Sequence, residues 1–107
     1  ATWCGPCIQQ IPYLNELEAN YHGKNITFVS ISIDQINAEN KWRQMVQNKN
    51  MSGFQLFANG DQSFAQAYKI SGIPRFILID PEGKIVDANA PRPSDPSLQE
   101  IFKSLKI

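Results

Sequence analysis

Both cysteines of this 107-residue chain lie near its start, Cys4 and Cys7, within Thr2-Trp3-Cys4-Gly5-Pro6-Cys7. Two thiols at that spacing can exchange with a disulfide. If residues 4–7 form the first turn of a helix, their Cα atoms lie about 5 Å apart, inside the range a disulfide needs. The pair can then open and close with little backbone movement.

Position on the helix assigns the roles. The first N–H groups of a helix lack internal partners and carry the positive end of the macrodipole, so an anion is favoured there. Cys4 sits at that end, and its thiol is expected to ionise below the free value of about 8.5; the thiolate is the nucleophile in disulfide exchange. Cys7, one turn further in, is expected to be the more buried and to act second. Gly5 lets a substrate backbone approach, and Pro6 falls in the first turn, where its missing N–H costs nothing. Two other uses of Cys-x-x-Cys rank lower. Zinc takes four ligands in structural sites and three plus water in catalytic ones, whereas the chain adds only His22 and no third cysteine. As a purely structural link, so short a disulfide loop restrains the unfolded chain little.

Trp3-Cys4-Gly5-Pro6-Cys7 resembles the active-site motif of thioredoxins, and thioredoxin is itself a standard example of a lowered cysteine pKa. The elements that must carry such a site follow in order. Ile8, Ile11, Leu14, Leu17 and Tyr21 recur at steps of three and four, the apolar face of a helix that Gly23 can stop. Pro12 falls inside it and removes one hydrogen bond. Ile26–Asp34 is rich in β-branched residues and reads as a buried parallel strand. Asp34, at its end, is read in two ways: as a cleft residue, since such residues gather at strand ends in α/β sheets, or, ranked ahead of that, as the opening of the loop before the next helix. Ala38, Trp42, Met45 and Val46 mark a second helical face, with Trp42 as a core residue. Gly53–Phe57 reads as a short strand, and Asp61 as the cap of a brief helix carrying Phe64, Ala67 and Tyr68.

Ser71-Gly72-Ile73-Pro74 then leads into an apolar strand, Arg75–Asp80. In thioredoxin-like proteins a proline in this setting is cis and faces the cysteine pair, so the resemblance gives Pro74 that role. Ile73 would then offer its backbone to an extended substrate. Arg75 is read in two ways: its charge favours the Cys4 thiolate or grips an acidic substrate group, or it is a solvated strand-edge residue. Asp80-Pro81-Glu82-Gly83 has the signature of a type I turn joining that strand to Lys84–Ala88 as a hairpin. Asp95-Pro96 supplies an N-cap and first-turn proline for a closing helix with Leu98, Ile101, Phe102 and Leu105 on its apolar face.

This order is similar to the α/β thioredoxin-like fold of the TlpA/ResA type, a central mixed sheet flanked by helices, in one domain over residues 1–107. Peroxiredoxins share the fold, but their Pro-x-x-x-Thr-x-x-Cys setting is absent. Two departures stand out. Several members of the branch carry a glutamate three residues after the second cysteine, where this chain has Gln10, so the group that takes the Cys7 proton is left unassigned. The fold also places a strand before the active-site helix, in mid-sheet, which Ala1–Trp3 cannot supply. The expectation is an N-terminally incomplete domain, or strand donation within a homo-oligomer.

Ten basic and ten acidic residues, with no run of either sign, give no sign of nucleic acid or of an anionic membrane surface as partner. No apolar segment reaches membrane-spanning length. The reading is therefore a thiol-disulfide oxidoreductase that reduces protein or peptide disulfides through Cys4 and Cys7. Trp3, Gly5, Pro6, Ile73, Pro74 and Arg75 line its substrate side. No cofactor or resident metal is needed, and a thiol electron donor completes the cycle. Family resemblance implies a bacterial protein of the periplasm or cell envelope. The rival readings are a thiol peroxidase and a non-catalytic module that binds a peptide or Cu(I).

Overall fold

A computed structural model describes residues 1–107. Helix α1 (Gly5–Asn20) is followed by strand β1 (Val29–Ser32), a short 3-10 turn (Ile36–Ala38) and helix α2 (Glu39–Asn48). Strand β2 (Phe54–Phe57), helix α3 (Ser63–Ala67), strands β3 (Leu78–Ile79) and β4 (Ile85–Asp87), and helix α4 (Pro96–Ser104) complete the order. Helix α1 runs through Pro12 to a C-cap at Tyr21. At α4 the Asp95 carboxylate accepts the Ser97 N–H at 2.9 Å and Pro96 takes the first helical position. The cap of α3 is Gln62 rather than Asp61; the Asp61 carboxylate instead accepts the Ser63 N–H at 2.9 Å from one residue further out.

The core sits between α1 and α4. Leu17, Ala90, Leu98 and Phe102 are its buried members, with Tyr21, Phe28, Phe76 and Leu78 packed around them. Phe102 is the hub: the Tyr21 ring meets it edge-on at 5.1 Å and the Phe28 ring at 6.4 Å. A second contact, Trp42 on Phe57 at 5.0 Å, fixes α2 to β2, and Trp42 is buried as expected.

The sheet is divided. Strands β1 and β2 pair in parallel, Val29 opposite Phe54 and Ile31 opposite Leu56, while β3 and β4 form a separate antiparallel pair with a bulge between Leu78 and Ile79. The two halves of the mixed sheet share no ladder. Strands β1 and β3 are also shorter than the Ile26–Asp34 and Arg75–Asp80 runs. Nor is β1 buried on both faces. Val29 is 53% and Phe54 64% exposed, and with Ile31 and Leu56 they form an open apolar face. Hydrophobic runs report burial only when something covers both sides. The consequence is a large surface: 7331 Å² is accessible, against about 6,000 Å² for a compact monomer of this length.

Because so few side chains are buried, each counts heavily. Phe102→Ala is expected to remove about 3–5 kcal/mol from the unfolding free energy measured in urea. A loss below about 1 kcal/mol, the size of an ordinary surface change, would contradict the core described here.

Candidate active site

Cys4 is the N-cap of α1, with φ −92° and ψ 101°, and its Sγ accepts the Cys7 N–H at 3.2 Å. This follows from the local sequence. Gly5 and Pro6 start the helix without demanding internal hydrogen bonds, so the next free N–H, that of Cys7, turns to the capping sulfur. Cys4 and Cys7 are joined as a disulfide with Cα atoms 5.2 Å apart, as the helical-turn geometry requires. A sulfur that already accepts an amide proton at a helix start gains more from that bond when it becomes an anion.

Burial is the reverse of the sequence expectation. Cys4 is only 4% exposed, whereas Cys7 is half-buried. The reason is tertiary. The Ile73 carbonyl oxygen lies 4.0 Å from Cys4 Sγ, and the Cys4 N–H donates to the Ala1 carbonyl at 3.1 Å, folding residues 1–4 into a turn. The order of reaction therefore rests on the helix start and not on which thiol is more open.

The remaining site residues fall into two groups. Trp3 is 63% exposed at that turn, Gly5 and Pro6 are exposed beside it, and no atom lies within 4 Å of where a Gly5 Cβ would stand. The peptide bond between Ile73 and Pro74 is cis, and the Ile73 carbonyl is the part of that segment that approaches the Cys4 sulfur. Arg75 does something else: its Nε donates to the Ala88 carbonyl at 2.8 Å, tying the lead-in of β3 to the end of β4. Its half-buried side chain is not the solvated edge residue of one reading, and its Nε is committed to backbone.

Gln10 is also committed. Its Oε1 accepts the Ser94 N–H and its Nε2 donates to Ser94 Oγ, both at 3.0 Å. A buried amide satisfied at both ends staples the Pro91–Ser94 loop to α1. An amide is not basic enough to take the Cys7 proton as a carboxylate would.

Asp34 stands in the loop that follows β1, where the sequence places it. It is also the most deeply buried side chain in the molecule, 1% exposed. Its carboxylate accepts the Thr2 N–H at 3.0 Å, the Thr2 hydroxyl at 2.7 Å and the Ser32 hydroxyl. Burial pushes the Asp34 carboxyl up, but the hydrogen bonds from Ser32 and Thr2 outweigh it and hold the group below the ordinary carboxylate value. The signal in the sequence was a Ser-x-Asp at the end of an apolar strand, polar types that burial tolerates only with partners.

Comparison with known proteins agrees with this geometry. The Redoxin family profile matches residues 1–103. ResA, a thiol-disulfide oxidoreductase of Bacillus thuringiensis (strain Al Hakam), is 29% identical over 86 residues, covering 80% of this chain and 48% of ResA. The chain thus spans about half the length of the curated relatives it matches. Among solved structures, a candidate thiol-disulfide oxidoreductase from Bacteroides vulgatus superposes with TM-score 0.85 at 50% identity, covering 96% of this chain and 66% of that one. The thioredoxin domain of another Bacteroides vulgatus thiol-disulfide oxidoreductase gives TM-score 0.83 at 27% identity, covering 99% and 74%. With its thioredoxin-like fold and a cysteine pair at the helix start, the chain belongs to the Redoxin family, among relatives of the TlpA/ResA type.

Proposed function

We propose that this domain reduces disulfides in protein or peptide substrates through its Cys4–Cys7 pair. The observation that carries the reading is the Cys7 N–H aimed at Cys4 Sγ across the first turn of α1. In the reduced domain the Cys4 thiolate attacks one sulfur of a substrate disulfide. The S–S bond breaks, a mixed disulfide forms, and the departing substrate sulfur leaves as a thiolate that takes a proton from solvent. Cys7 then loses its proton and attacks Cys4 Sγ. This closes the Cys4–Cys7 disulfide and releases the second substrate thiolate, so two electrons have passed to the substrate. A thiol donor returns the domain to the dithiol.

Trp3, Gly5, Pro6 and the Ile73–Pro74 backbone form the surface against which an extended substrate segment lies, in the manner of strand addition. Arg75 serves that surface indirectly, through its bond to Ala88. The periplasm or cell envelope is the proposed compartment, on the resemblance to ResA-type proteins. No helix of the chain is long and apolar enough to cross a membrane.

The divided sheet bears on the working form of the domain. Phe28, which leads into β1, and Leu78 of β3 pack on one core, yet the two strands share no hydrogen bond. Edge groups left unpaired in that position cost about 1–3 kcal/mol each if buried. We infer that a strand from polypeptide outside residues 1–107, or from a second copy of the chain, lies between them. In the native protein the amides of Val29–Ser32 that are free in this chain should then exchange slowly with deuterium. Protection that grows with protein concentration assigns the strand to a second copy, and fast exchange at every concentration rules the strand out.

The chemistry is tested by covalent capture. Cys7→Ala is expected to accumulate disulfide-linked substrate on Cys4, while the unaltered protein reduces insulin in the presence of a dithiol. If the variant captures nothing and insulin reduction stays at the background rate, the reading is wrong. If only the Cys7 thiol of the reduced protein can be alkylated, the two roles are exchanged.

A further inference from the structure

Asp34 is buried and ionised, yet it touches neither sulfur. Two of its three donors come from Thr2, two residues before Cys4. Thr2 and Trp3 are the middle residues of the turn closed by the Cys4 N–H on the Ala1 carbonyl. The third donor, Ser32 Oγ, is buried at the end of β1 and also accepts the Asp34 N–H at 3.1 Å. Asp34 thus binds the end of β1 to the turn that delivers Cys4 to the start of α1. On the far side of that turn, Cys4 Sγ faces the Ile73 carbonyl ahead of β3.

We propose that Asp34, acting through Thr2, is a positioning residue of the redox site: it holds Cys4 in the extended capping conformation in which its sulfur meets the Cys7 N–H, and so sets the dithiol–disulfide equilibrium. The inference rests on the dithiol reading given above. The cap bond favours the thiolate over the thiol, and whatever favours the Cys4 thiolate favours the reduced pair. Loosening the turn weakens that bond and shifts the equilibrium towards the disulfide. A bare buried charge predicts the opposite. A carboxylate near Cys4 repels the thiolate, so removing the charge alone would favour the reduced form.

The two effects separate in a redox titration of the full-length protein against reduced and oxidised glutathione. At equilibrium the Cys4–Cys7 disulfide takes two electrons and two protons from two molecules of glutathione, which become one glutathione disulfide. Thr2→Val keeps the charge and removes the hydroxyl donor. It is expected to disfavour the reduced form by about three- to tenfold in the equilibrium constant, the size of one hydrogen bond. Thr2→Ser, which keeps the hydroxyl, should stay within about twofold of the unaltered protein, inside the lower bound of a hydrogen bond's worth. Asp34→Asn should move in the same direction as Thr2→Val.

Thr2→Val indistinguishable from the unaltered protein overturns the proposal, as does Asp34→Asn moving towards the reduced form. Should Asp34→Asn not fold, the comparison of Thr2→Val with Thr2→Ser decides alone. The titration needs no substrate protein. Failure to reduce insulin would therefore count against the proposed function and leave the ordering of these variants to judge Asp34.

Discussion

A single amide hydrogen aimed at a single sulfur is the contact on which this structure's chemistry depends. The Cys7 N–H donates to Cys4 Sγ at 3.2 Å because Cys4 occupies the N-cap and the next two residues, Gly5 and Pro6, ask for nothing from the helix interior. Elsewhere such a cap is a serine or aspartate oxygen. Here the capping atom is itself the reacting one, so the interaction that starts the helix also tunes the nucleophile.

The surrounding fold can be understood as what keeps that sulfur in place. The turn before Cys4 is bonded through Thr2 and Asp34 to the end of β1, and the Ile73 carbonyl approaches Cys4 from the segment leading to β3. Gln10 and Ser94 hold the proline-rich loop against the same helix one turn further along. Below, α1 and α4 lock through Leu17, Leu98 and Phe102. The redox turn is therefore one of the places where the two half-sheets are brought together, and rigidity there has a direct chemical effect. A sulfur free to leave the cap loses both its burial and its amide partner.

Much of this was readable from local pattern. The cysteine pair at the head of an amphipathic helix, the Asp95-Pro96 start of α4, the Phe54–Phe57 strand and the buried Trp42 all follow from rules that act within a few residues. What was not readable depends on partners distant in sequence. Cys4 is more buried than Cys7, with Ile73 packed near its sulfur from 69 positions away, which no spacing rule contains. The burial and bonding of Asp34 in its loop were not readable because Thr2, the source of two of its three donors, lies 32 positions away. Gln10 appeared only as the lack of a carboxylate, while its actual work is with Ser94, 84 positions on. The apolar run of β1 promised burial on both faces, a promise that only a covering element can keep.

The most direct measurement is an ultraviolet titration of the Cys4 thiolate in the reduced Cys7→Ala variant, where one thiol alone absorbs on ionising. If the start of α1 stabilises the anion as described, the midpoint falls below about 7.5, in the range of activated cysteines. A midpoint at or above about 8.5, the value of a free cysteine, would contradict the account at its centre.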